Sequence, residues 1–69
     1  MTHYIIMRYT NDVNAFNEAH PVAIKHTKKS ALKEVKDMNK KYAYGVELDD
    51  YEFVDTTDAE YNYYDIEEI

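Results

Sequence analysis

The chain has 69 residues, a formal charge of -6 and no cysteine. That length allows one domain near the lower end of what folds unaided, and without thiols neither a disulfide nor a zinc-thiolate site can staple it. The negative charge opposes direct binding to nucleic acid or to an anionic membrane, so a basic protein surface is the expected partner. Apolar and aromatic residues make up 45% of the chain, with eight tyrosines among them, a composition of folded rather than disordered acidic proteins.

The segment His3 to Thr10 alternates and is rich in β-formers, with Ile5, Met7 and Tyr9 on one side and Tyr4, Ile6 and Arg8 on the other, which predicts a first strand. Asn11 to His20 is polar and broken, anchored by Val13, Ala15, Phe16 and Ala19, and reads as a connecting loop, with or without a helical turn. Pro21 to His26 predicts a second strand, antiparallel to the first, because proline is tolerated where a strand begins. Thr27 then stands at an N-cap position, and Ala31, Leu32, Val35, Met38 and Tyr42 recur at steps of three and four, so a helix starts at Lys28 with one apolar stripe. Gly45 offers the backbone freedom to leave it, with a turn over Tyr42 to Val46. Two further runs, Tyr51 to Val54 and Tyr61 to Ile66, have strand composition and are separated by Asp55 to Asp58. The expected fold is a single α+β domain, order β-β-α-β-β, with one helix on a three- or four-stranded, mainly antiparallel sheet. Its expected core is Ile5, Met7, Val22, Ile24, Ala31, Leu32, Val35, Met38, Phe53 and Ile66.

Charge divides the chain. Seven of its eight cations lie between Lys25 and Lys41, opposed there by Glu34 and Asp37, while the stretch from Val46 onward has ten carboxylates and no Lys or Arg. Lys28 and Lys29 occupy the positive end of the helix dipole, where a cation is disfavoured by roughly 0.3–1 kcal/mol, so an acidic neighbour or an external anion must compensate them. The acidic third either neutralises the lysine-rich helix or, with its interleaved tyrosines, presents a surface to a basic groove. On the second reading the partner-binding residues are Glu47, Asp49, Asp50, Tyr51, Glu52, Asp55, Asp58, Glu60, Tyr61 and Tyr63.

Catalytic and metal chemistry find little to use. The acidic residues lack the order and the Gly of a calcium loop; His3, His20 and His26 have no partner at metal-ligand spacing; Ser30 has no activating base in its surroundings; and no Gly-rich phosphate loop occurs. Neither enzyme activity, a cofactor nor a specific metal site is expected. The apolar run near Met1 is shorter than a secretory h-region and no stretch is long enough to span a bilayer, so the expected location is the cytoplasm of the host cell.

Tyr4-Ile5-Ile6-Met7-Arg8-Tyr9, the Val22-Ala23-Ile24 run leading into Thr27-Lys28-Lys29-Ser30-Ala31-Leu32, and the closing Tyr63-Tyr64-Asp65-Ile66-Glu67-Glu68-Ile69 resemble the small acidic proteins encoded by phages and prophages of Gram-positive bacteria. The resemblance implies a setting in which anti-restriction and anti-CRISPR inhibitors occur, proteins that occupy a nuclease surface. The lysine-rich helix departs from a uniformly anionic nucleic-acid mimic. The expected function is therefore inhibition of a basic host protein such as a nucleic-acid enzyme of a defence system. Two alternatives stand beside it: a homo-oligomeric accessory protein, homodimeric in its simplest form, associating through a sheet face with Tyr4, Ile6 and Tyr64; and a module that sequesters a nucleotide near Lys28 and Lys29.

Overall fold

The computed structural model describes residues 2–12 and 15–69. Its elements are β1 (Tyr4–Asp12), β2 (Ala15–Lys25), α1 (Lys28–Tyr42), β3 (Val46–Asp49), β4 (Glu52–Thr56) and β5 (Tyr61–Glu68). The fold is α+β. Strands β2, β1 and β5 form an antiparallel sheet in that order, and β3 and β4 form a separate antiparallel ribbon.

The helix begins where its cap requires. Thr27 is extended, and its Oγ1 accepts a hydrogen bond from the Ser30 amide at 3.2 Å, satisfying a donor with no intrahelical partner. At the other end the Ala43 amide donates to Asn39 O and the chain turns away through Gly45, whose φ is +67°. A Cβ there would lie 2.1 Å from the Glu60 carbonyl oxygen, so this exit demands glycine for both its dihedral and its clearance.

Two segments depart from the sequence expectation. Within the stretch expected as a loop, Asn11 and Asp12 belong to β1 and residues 15–20 to β2, continuing the first hairpin through the pairs Thr10↔Glu18 and Asp12↔Ala15. Glu18, Ala19 and His20 on its edge strand are exposed, so this stretch forms strand without an apolar alternation. Val13, with the side chains of Ala15 and Phe16, lies outside the described residues. The second departure is β3, a strand where a turn was expected around Val46; its Val46 and Leu48 are half-buried on the same side.

The faces of the main sheet are exchanged relative to the expectation. Helix α1 packs on the even-numbered residues of β1 and β5: Ile6, Val35 and Tyr64 form the buried cluster, with Ala23, Met38 and Ile66 against it and Ala31 also buried. Ile5 and Met7, expected in this core, take the opposite side, and Val22, Ile24 and Leu32 are exposed. A one-residue change of parity moves a whole set of side chains across a sheet, and both sets here are apolar. The even set looked less suited to burial because it contains Arg8 and Thr10. Their polar groups are satisfied, Arg8 Nε donating to Asn62 Oδ1 at 2.6 Å and Thr10 Oγ1 to Tyr61 O at 3.1 Å. Between Ile6 and Met7 the register shifts, leaving Val22 as an extra residue between Pro21 and Ala23, a bulge on an edge strand of the kind that accommodates proline.

Candidate protein-binding surface

One helix covers one face, so the other face of the β2-β1-β5 sheet is open. Tyr9 and Tyr63 are cross-strand partners on it, and their rings stack with centroids 5.2 Å apart. Phe53 of β4 continues the row, stacking on Tyr63 at 4.1 Å and an interplanar angle of 9°, and Tyr61 lies tilted against Tyr63 at 5.9 Å. Four rings thus join β1, β5 and the ribbon in one aromatic band, flanked by Ile5, Met7 and Ile24.

Carboxylates border the band. Glu67 accepts a 2.9 Å hydrogen bond from the Tyr9 hydroxyl. Asp65 lies between Tyr63 and Glu67 in the same alternation and accepts from the Ile66 amide on the strand edge. Burial, the hydrogen bond to Glu67 and the charges of Glu67 and Asp65 push the Tyr9 hydroxyl up to about 12, and burial with the neighbouring Tyr61 and Asp65 raises Tyr63. Both hydroxyls therefore stay protonated at neutral pH and remain donors. The described residues of this face include no Lys or Arg.

The ribbon adds a second acidic surface. Its register sets Glu47 opposite Asp55 and Asp49 opposite Glu52, and all four side chains are exposed. Like charges placed directly across an antiparallel pair repel, against roughly 0.2–1 kcal/mol of gain for a complementary pair. Among the described residues the ion pairs are Glu18–His20 and Lys25–Glu34, and neither joins a lysine of α1 to a carboxylate beyond Val46. The acidic third is not paired with the lysines of its own helix.

Asn39 fixes the ribbon against the sheet. Buried on the inner stripe of α1, it donates from Nδ2 to the carbonyls of Tyr64 (3.0 Å) and Tyr51 (2.8 Å) and accepts from the Tyr64 amide at 2.7 Å. Its side-chain amide stands in for a neighbouring strand at the outer edge of β5. Asn62, one pairing step away, exchanges both backbone hydrogen bonds with Tyr44 and donates from Nδ2 to Tyr42 O.

Of the residues expected to bind a partner, Glu47, Asp49 and Asp55 share the outer side of the ribbon, and Glu52, opposite Asp49, borders the groove between the ribbon and α1. Asp50 and Tyr51 form the ribbon's turn, Asp58 and Glu60 lie in the exposed bend before β5, and Tyr61 and Tyr63 belong to the aromatic band. The expected self-association patch does not form, because Ile6 and Tyr64 are buried under the helix and Tyr4 lies on that same side. Phe53, Tyr9, Asp65 and Glu67 complete the surface. The alternation of β5 already placed Asp65 and Glu67 beside Tyr63; Tyr9 and Phe53 could be joined to them only through the register. No helix among the described residues is long and apolar enough to cross a membrane. No family model, curated protein or solved structure matches this chain.

Proposed function

We propose that this protein is a non-catalytic binding module that docks its open sheet face, together with the acidic side of the β3–β4 ribbon, on a basic surface of another protein. The observation that carries this reading is the half-buried band Tyr9, Tyr63, Phe53 and Tyr61, continuous across both sheets, with Asp65 and Glu67 beside it. Tyrosine supplies rigid contact area with a hydroxyl at its rim and is enriched where protein interfaces are tightest. Asp65, Glu67 and the unpaired carboxylates of the ribbon supply steering toward a cationic partner.

The resemblance to small acidic phage proteins points to the kind of partner: a host nucleic-acid enzyme, of a restriction or CRISPR system, whose basic substrate groove the module would occupy. In capture from host lysate, wild-type protein should retain one nucleic-acid enzyme that is released by salt. The double variant Asp65→Lys, Glu67→Lys should fail to retain it, and purified wild-type protein should inhibit that enzyme's activity on its substrate. Equal retention by the variant refutes the assigned face; retention without inhibition refutes the inhibitory role.

A further inference from the structure

A groove of about 640 Å³ separates α1 from the turn of the ribbon. Its helix wall carries Lys29, Lys33 and Lys36, spaced by four and three residues and so aligned on one stripe along about 10 Å of helix axis. The facing wall carries Asp50, Glu52 and Asp65, and Leu32, Val35, Tyr51 and Phe53 line the space between. This size and apolar floor suit a small molecule, typical small-ligand sites holding roughly 300–1,000 Å³. The separation of charge suits one that is anionic at one end and a hydrogen-bond donor at the other.

Features of the walls point the same way. Lys29 sits in the first turn of α1, which contains no acidic residue, and it has no ion pair among the described residues. The helix dipole opposes a cation there, so an anion is the missing counter-charge. Asp50 and Tyr51 form a two-residue hairpin turn with φ of 52° and 65°, the sign a type I′ turn needs and one that glycine or asparagine meets at least cost. A bulky Tyr51 held there by the bond from Asn39 keeps a ring in the groove at a backbone cost of about 1–2 kcal/mol. Finally, the stack Tyr9, Tyr63, Phe53 ends at a residue that lines the groove, so a planar heterocycle can be its next member.

We propose that the groove binds a guanine nucleotide, with its phosphates on the Lys29, Lys33 and Lys36 row, its base against Tyr51 and Phe53, and its donor edge on Asp50 and Glu52. Guanine presents a ring N–H beside an exocyclic amine, both donors, which a carboxylate accepts together. Adenine presents an acceptor nitrogen beside its amine, and a carboxylate repels it. The opposed walls keep the phosphate end from the carboxylates and fix one orientation. This site lies between α1 and the ribbon turn and shares Phe53 and Asp65 with the open face.

Amide NMR spectra of the full chain at low salt, titrated in parallel with GTP, ATP and inorganic tripolyphosphate, test the assignment. Lys33 and Glu52 are exposed, so variants there keep the fold, and their spectra verify it. GTP should perturb Lys29, Leu32, Lys33 and Tyr51 and bind about tenfold tighter than ATP, the value of one charge-assisted hydrogen bond. Lys33→Ala should weaken GTP and ATP alike, whereas Asp50→Asn with Glu52→Gln should abolish the preference for GTP and bind ATP more tightly than the wild type does, because the repulsion of its base is gone. Equal affinity for GTP and ATP, tripolyphosphate binding as tightly as GTP, or no perturbation of these residues overturns the proposal.

Discussion

Asn39→Ala isolates the contact on which the ribbon's position depends. The substitution removes three hydrogen bonds of 2.7, 2.8 and 3.0 Å from a side chain that is 2% exposed. At about 1 kcal/mol net for each, with the added cost of leaving the buried amide and carbonyl of Tyr64 unpaired, the expected loss is about 3–5 kcal/mol. Helix propensity works the other way, alanine being favoured over asparagine by roughly half a kcal/mol, so a loss cannot come from the helix itself. A domain this small has roughly 3–10 kcal/mol of total stability, so the loss takes between about a third and all of it. Urea denaturation followed by circular dichroism measures the loss, and amide exchange at Tyr64 reads the contact directly, protected in the wild type and exposed in the variant. Asn39→Asp retains an acceptor for the Tyr64 amide but turns a carboxylate toward two carbonyl oxygens. The folded state should therefore raise its pKa, making this variant most stable below the unfolded carboxylate value and less stable as pH rises. A loss under about 1 kcal/mol for Asn39→Ala, with Tyr64 still protected, would refute the strand-substitute role.

Gly45→Ala should cost at least about 2 kcal/mol by thermal unfolding, because alanine opposes the positive φ and its Cβ meets the Glu60 carbonyl. Thr27→Ala should cost about 1 kcal/mol through loss of the Ser30 cap, read from the urea midpoint. Lys28→Glu should stabilise the protein by roughly 0.3–1 kcal/mol, since it puts an anion into a first turn that has none; no gain would mean that Lys28 is already compensated. Tyr9 ionises near 12 when folded and near 10 when unfolded. The raised value favours the folded state fully below pH 10, and that advantage disappears as pH rises toward 12. Tyr9→Phe should flatten the stability profile in that window and remove the last-ionising group from an ultraviolet tyrosinate titration.

The sequence made the helix legible down to its first residue because capping and periodicity are local. Thr27, the stripe Ala31, Val35, Met38, and the exit near Gly45 all act within a few positions of one another. Which sheet face the helix covers was not local. Strand β1 is apolar at both parities, and the deciding groups are Asn62 and Tyr61, more than fifty residues away, which satisfy Arg8 and Thr10 and let that side be buried. The aromatic band was half-legible for the same reason: alternation aligned Tyr61, Tyr63, Asp65 and Glu67 on β5, but Tyr9 and Phe53 join them only through pairing across the sheet and against the ribbon. Strand β3 alternates over Val46, Glu47, Leu48 and Asp49, but four residues directly after the Gly45 turn are too short a run to separate from that turn.

The division of charge along the sequence survives folding as a division in space, and this bears on both readings of the acidic third. Neutralisation by direct ion pairs would require helix lysines in contact with carboxylates beyond Val46, and the ion pairs among the described residues join Glu18 to His20 and Lys25 to Glu34. Lys29, Lys33 and Lys36 instead face Asp50, Glu52 and Asp65 across an open groove, while Glu47 and Asp55 oppose one another on the outer side of the ribbon. Opposed like charges and separated unlike charges both leave electrostatic free energy unsatisfied in the free protein. A basic partner on the open face and a dipolar ligand in the groove would each relieve one of these. Because the two sites share Phe53, Asp65 and Glu52, occupation of the groove can alter the aromatic band through the Phe53 ring and the acidic surface through these two carboxylates.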